Sequence, residues 1–175
     1  MSKLFSLMLC VAGLMLSFCS DIALSSPKHQ PSYYFPSHRT ATGKRVFIFD
    51  PKQHAWAAYN EAGERVREGR ASGGAAYCPD IHRACRTVVG SFQVISKKGA
   101  SCVSSRYPIK TRGGAETPYC MHFHKKGYAV HGSYDVPANR NASHGCIRVT
   151  PEAARWLNQD FLKIGSTVIV APYKK

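Results

Sequence analysis

Cys146 lies in the run Ser143-His144-Gly145-Cys146-Ile147-Arg148-Val149, and His131, in His131-Gly132-Ser133, stands fifteen residues before it. A thiol, two imidazoles, a glycine beside the thiol and an arginine fall in one short stretch. Together they are what acyl transfer by a cysteine requires: a nucleophile, a base, open backbone donors for an oxyanion and a cation for an anionic substrate. A thiol with a free pKa of about 8.5 needs help to react as a thiolate at neutral pH. His131 is the candidate base, because it closes the run Tyr128-Ala129-Val130 and a strand there would hold its imidazole rigidly. His144 is a second candidate, since residues 144 and 146 of an extended chain point to one face. Gly145 has no Cβ to keep a substrate carbonyl from nearby N–H groups. Ser143 can hydrogen-bond a ring nitrogen or the backbone. Arg148 is placed to grip a carboxylate through paired hydrogen bonds and to lower the Cys146 pKa. Met121, with Tyr119 and Phe123, is the candidate pocket wall.

The elements that must position these residues are mostly strands. Val46-Phe47-Ile48-Phe49, His54 to Tyr59 and Arg65 to Ala71 read as a meander, with a turn at Asn60 to Glu64. Gly90 to Ser96 alternates apolar and polar residues. Met121-His122-Phe123 and Tyr128 to His131 flank a turn at Lys125-Lys126-Gly127, and Thr167 to Val170 closes the chain as a strand. One helix is expected: Thr150 suits an N-cap, Pro151 the first helical position and Glu152 the positive end of the dipole. Ala153, Trp156, Leu157 and Phe161 repeat at helical spacing, and Gly165 is the expected stop. Several short strands and one short helix predict a mainly β domain of sandwich or barrel-like type.

The length leaves room for one domain. Residues 1–25 read as an export signal: Lys3 is the charged start, Leu4 to Phe18 the apolar stretch, and Ala23-Leu24-Ser25 the expected cleavage site. Residues 26–42, rich in Pro, Ser, His and Tyr, read as a linker or N-terminal arm, and 43–175 as the domain. Export to the periplasm or cell envelope fits the cysteines. Beyond Cys10 and Cys19 of the leader there are five, Cys78, Cys85, Cys102, Cys120 and Cys146. The sequence-local pairs Cys78 with Cys85 and Cys102 with Cys120 are the expectation, although four cysteines allow three connectivities and the sequence does not choose. That pairing leaves Cys146 free. The net charge of +14 calls for an anionic partner. Its cations are scattered from Lys28 to Lys175 without an arm or helical stripe, which argues against nucleic acid and for a polyanionic envelope polymer.

With these residues in view, the His131-Gly132-Ser133 and Ser143 to Val149 runs resemble the catalytic motif of the L,D-transpeptidases, the YkuD-type cysteine enzymes of bacterial cell walls. Ser72-Gly73 resembles the serine-glycine after that family's third strand. Arg86 to Phe92 resembles its Thr-Pro-x-Gly-x-Phe segment, with Val88 where the proline usually stands. Pro151 to Val170 resembles its closing helix and strand, so the likeness runs from about Lys44 to Val170. The resemblance implies a YkuD-like β-sandwich and a Cys146 acyl-enzyme formed on the tetrapeptide stem of peptidoglycan. His131 would activate the thiol and the backbone near Gly132 would orient the imidazole. His144 and Gly145 would line the oxyanion side, and Arg148 would engage an anionic group of the stem. The acceptor would be a second stem, giving a 3→3 cross-link, an envelope protein, or water, which makes the enzyme an L,D-carboxypeptidase. No metal or other cofactor is implied, and carbapenems would acylate the cysteine.

Plainer readings compete. A cysteine taken alone is more often a buried structural thiol than a nucleophile. His122 and His124, with His131 and His144, invite a metal site, but no carboxylate cluster accompanies them. A non-catalytic basic module that binds envelope polymer is the alternative from another class.

Overall fold

Val46 to Phe49 is apolar, β-branched and aromatic, and it forms the first strand of a nine-stranded sheet. The computed structural model describes residue 33 and residues 35–173. The expected export signal, and residues 26–32 and 34 of the N-terminal arm, lie outside the described residues. Strand β1 (Val46–Asp50) pairs antiparallel with β2 (Ala55–Tyr59), whose five residues are all buried. Strand β3 (Arg65–Ser72) continues the meander past the Asn60–Glu64 turn. Part of the arm runs beside that turn: the Arg39 N–H donates to the Gly63 carbonyl at 2.9 Å and the Tyr59 hydroxyl to the Pro36 carbonyl at 2.8 Å.

The remaining strands are β4 (Gly90–Gln93), β5 (Ser96–Lys97), β6 (Met121–His122), β7 (Ala129–Gly132), β8 (Ile147–Val149) and β9 (Thr167–Val170). Their order across the sheet is β4-β9-β1-β2-β3-β8-β7-β6-β5. The run Gly90 to Ser96, expected as one strand, is therefore two strands at opposite ends of the sheet. Val94 and Ile95 make the crossing: the Val94 N–H donates to the Ser166 carbonyl at 2.9 Å and the Ile95 N–H to the His122 carbonyl at 2.8 Å. Two residues join the two edges, so the sheet curls until its ends nearly meet. The fold is mainly β, as its alternation predicts.

The curl encloses the apolar core. Trp56 stacks on Phe47 and Trp156 with ring centroids 5.7 and 6.3 Å apart. Val94, Met121, Val130, Ile147, Leu157 and Val168 are wholly buried in the same cluster. Burial of each such side chain is worth about 1.5–3 kcal/mol. The helix α1 (Pro151–Trp156) starts where its sequence indicates, with the Thr150 hydroxyl accepting the Ala153 N–H at 3.3 Å. It then widens into a π turn, Leu157–Phe161, that turns Leu157, Asn158 and Phe161 inward. The Leu162 N–H bonds to the Leu157 carbonyl at 2.7 Å and ends the element there. Gly165, the expected stop, lies later, at φ +88° in the turn before β9.

Candidate active site

Strands β7 and β8 run parallel, with Val130 opposite Ile147 and His131 opposite Arg148. Side chains alternate along a strand, so this register sorts the faces. Val130 and Ile147 enter the core, and Ala129 and His131 take the other side. Cys146, one residue before β8, packs with Ala129 against the Cys102–Cys120 disulfide. His131 and Cys146 are thus diagonal neighbours on one face of the sheet, and both line a cavity of about 630 Å³. The Cys78–Cys85 disulfide also forms, and Cys146 is the free cysteine of the described residues.

His131 is 5% exposed, and its Nδ1 lies 2.8 Å from the carbonyl of Gly132. A carbonyl only accepts, so Nδ1 carries the proton and Nε2 the lone pair. Burial lowers the His131 pKa to about 4, against a smaller raising effect of the Gly132 bond, and Arg148 lowers it further. Burial raises the Cys146 pKa, while the Ala129 backbone and the Arg148 charge draw it back in part. The expected lowering of the thiol pKa by Arg148 is therefore outweighed by desolvation. At neutral pH the resting pair is thiol and neutral imidazole, with the sulfur 3.8 Å from the Gly127 carbonyl.

The turn that presents Cys146 is held from several sides. Ser143 is 2% exposed; its Oγ accepts the Gly145 N–H at 3.0 Å and donates to the Cys146 carbonyl. This serine staples the turn and is not among the cavity-lining residues, and it removes the Gly145 N–H from the oxyanion donors. Gly145 sits at φ +127°, and a Cβ there would fall 2.7 Å from Tyr128 Cε1. Glycine is required by the backbone and the tyrosine ring together. Thr87 donates from Oγ1 to the Gly145 carbonyl at 2.7 Å and accepts the Gly74 N–H at 2.9 Å. Upstream, Ser72 and Gly73 tether the preceding loop: the Ser72 hydroxyl donates to the Arg140 carbonyl at 3.0 Å, and the Gly73 N–H donates to Asn141 Oδ1 at 2.9 Å.

His144 joins two loops over the cavity. Its Nε2 is 2.8 Å from Asp80 Oδ2, in the loop closed by the Cys78–Cys85 disulfide. Its ring lies against Tyr107, centroids 4.4 Å apart, from the long segment before β6. The hydrogen bond to His144 is the main cause that lowers the Asp80 pKa. Asp80 and Tyr107 were not singled out from sequence, and Thr87 entered only within the Arg86 to Phe92 segment, without a role. Each meets the motif across a long loop, and no local spacing signals it.

Two further residues sit elsewhere than their sequence suggests. Arg148 is outside the cavity lining and pairs with Asp135 at 2.7 Å. Met121 is fully buried in the core, on the face of β6 that its pairing with Val130 selects. Phe123 joins it there, and the actual cavity walls include Tyr107, Tyr128 and His122. Among the described residues, one group has metal-ligand spacing, Cys78, Asp80 and His144, with ligand atoms within 4.8 Å. The Cys78 sulfur is in a disulfide and offers no thiolate, so the set does not suit a metal ion.

Comparison with known proteins agrees with this fold. The family model of the L,D-transpeptidase catalytic domain, YkuD, matches residues 44–170. No curated protein matches. The solved L,D-transpeptidase (residues 123–326) of Xylanimonas cellulosilytica is similar at 29% identity and a TM-score of 0.64, covering 78% of this chain and 64% of that one. L,D-transpeptidase 3 of Mycobacterium tuberculosis, solved in complex with a faropenem-derived adduct, is similar at 27% identity and a TM-score of 0.59, covering 74% of this chain and 60% of that one. An L,D-transpeptidase of Mycobacterium smegmatis shares the fold at 22% identity and a TM-score of 0.60, covering 74% and 59%. The chain thus spans less than two thirds of the length of these solved chains. With its match across most of the sequence, the chain belongs to the family of YkuD L,D-transpeptidase catalytic domains.

Proposed function

We propose that the domain transfers peptidoglycan stem peptides through a thioester on Cys146. The observation that carries this reading is that a free thiol and an imidazole whose tautomer is set by Gly132 lie on one sheet face and line one cavity. His131 Nε2 takes the thiol proton as sulfur attacks the carbonyl of the third stem residue. With the Gly145 N–H bound to Ser143, the Cys146 N–H is the backbone donor nearest the oxyanion. The imidazolium returns the proton to the leaving amine of the terminal D-alanine, and the thioester remains. An acceptor amine then attacks the thioester, His131 removes its proton, and the thiol is restored. The neutral resting pair suits this order, because charge develops only as the substrate arrives. His144 and Asp80 hold the loops that roof the cavity.

The acceptor is a second stem, giving 3→3 cross-links, or an envelope protein, with water as the hydrolytic alternative. The two disulfides support residence in an oxidising compartment, the periplasm or cell envelope, after export. The faropenem-derived adduct of the mycobacterial relative supports covalent capture of Cys146 by carbapenems and related β-lactams. The test is to express the protein, digest sacculi and separate the fragments. The expected result is 3→3 dimers or protein-linked stems that vanish with Cys146→Ala. Shortened stems alone assign the carboxypeptidase reaction, and an unchanged fragment pattern contradicts the proposal.

A further inference from the structure

The cavity above Cys146 has cations on its lining and no carboxylate. Arg83, Lys98, Arg106 and Lys126 all line it, and all four are exposed. They come from three separate places in the chain: Arg83 from the loop closed by Cys78–Cys85, Lys98 and Arg106 from the long segment between β5 and β6, and Lys126 from the β6–β7 turn.

None of the four is in an ion pair among the described residues. The ion pairs there use Arg45, Arg65, Arg67, His144 and Arg148. Asp80, the acid that reaches the cavity roof, is taken by His144 at 2.8 Å. Arg148, the arginine of the motif, is taken by Asp135 at 2.7 Å and is not among the residues that line the cavity. Recognition of negative charge around the reacting thiol thus falls to residues outside the motif. Unpaired cations around a concave site focus a positive potential into it, because the low-dielectric walls concentrate the field.

Resting on the acyl-transfer reading above, we propose that this enzyme selects its acyl donor by charge: a stem tetrapeptide whose side carboxylates on residues two and three are free, in preference to the same stem with those groups amidated. The reacting carbonyl must lie at Cys146, so the carboxylates of the donor nearest that carbonyl come toward the cavity that these four cations line. An amide keeps the shape and the hydrogen bonding of the group but forfeits the charge. The cations are exposed to water, so the selection is screened by salt.

The test measures release of terminal D-alanine from two synthetic tetrapeptides, one with free side carboxylates and one amidated at both. The expected result is a preference of roughly tenfold in kcat/KM for the free acid at low salt, the size expected of two or three exposed charge contacts. It shrinks at high ionic strength and falls several-fold in an Arg106→Gln, Lys126→Gln double variant. Alkylation of Cys146 by the neutral reagent iodoacetamide checks that the variant still presents its thiol. Equal or faster release from the amidated peptide overturns the proposal, as does a preference that neither salt nor the double variant reduces. Release from neither peptide, with Cys146 still alkylated, overturns the acyl-transfer reading itself and the selection with it.

Discussion

The imidazole of His131 donates its Nδ1 proton to the carbonyl of the next residue, Gly132, at 2.8 Å. A base is thereby held in one tautomer by the backbone of its own strand, without a carboxylate partner. A Cβ on Gly132 would lie 3.1 Å from both Pro118 Cγ and Pro151 Cα, tighter than ordinary contact, so those neighbours would have to give way. The glycine lets β7 press against α1, and that contact fixes the carbonyl that fixes the base.

Reactivity against pH distinguishes this pair from a resting thiolate–imidazolium. The His131 pKa is lowered to about 4 and the Cys146 pKa is raised, both chiefly by burial. His131 is therefore neutral and competent as a base from moderately acidic pH upward. Alkylation of Cys146 by iodoacetamide should climb through pH 8 and above without a plateau at pH 6–8. The acid limb of kcat/KM should fall near pH 4 rather than near 6.5. A flat, high alkylation rate from pH 5 to 8 would show a resting ion pair instead.

The same burial couples stability to acid. The unfolded chain binds a proton at His131 near the ordinary value of about 6.5, and the folded chain only near about 4. Between those values the unfolded state holds more protons, so stability rises with pH through this window and is lost as pH falls. The loss from this group is about 3 kcal/mol by pH 4. His122, whose pKa burial also lowers, adds to it with the same sign. Urea unfolding from pH 7 to pH 4 measures the slope, and His131→Gln should flatten it.

Thr87 is a buried clamp on the turn that carries the thiol. Its hydroxyl both receives the Gly74 N–H and donates to the Gly145 carbonyl. Thr87→Val keeps the volume and strands two buried backbone groups, each worth about 1–3 kcal/mol. The expected outcome is a clear fall in thermal midpoint and slower acylation of Cys146. Thr87→Ser, which keeps the hydroxyl, should recover most of both.

Asp80 acts through His144 and belongs to a loop stapled by a disulfide. The pair is exposed, so Asp80→Asn should leave the thermal midpoint nearly unchanged. It should lower kcat/KM by about three- to tenfold, since the two loops that roof the cavity lose a charge-assisted link. Thermal unfolding and donor kinetics on the same preparation separate the two effects. A large loss of stability with no kinetic change would make the link purely structural.

How much of this could be read from sequence depends on the range of each contact. The placement of His131, Gly132 and Cys146 beside one cavity was legible because it needs only a strand, a neighbouring carbonyl and a short return loop. The disulfides formed between cysteines 7 and 18 residues apart, the pairs that local closure favours. The N-cap at Thr150 was local too. Ser143 was read as a partner for a ring nitrogen or the backbone, and it holds the backbone at 145–146; Arg148 was read as a grip for a substrate carboxylate, but its partner, Asp135, lies within the fold. Met121 looked like a pocket wall because the register of β6 on β7 is invisible before the sheet is built. Asp80 and Thr87 reach the motif from 64 and 58 residues away, which no spacing rule encodes. The split of Gly90 to Ser96 was hidden for a similar reason. Its alternation is continuous, and only closure of the curled sheet divides it.

The central claim is that the Cys146 sulfur carries the peptide acyl group. Incubating the protein with a stem tetrapeptide, quenching in acid and weighing the intact protein tests this directly. The account predicts a mass gain equal to the tetrapeptide less its terminal D-alanine, mapped by peptide fragmentation to Cys146 and much diminished in rate in His131→Gln. An adduct on another residue, or D-alanine release that persists in Cys146→Ala, would contradict it.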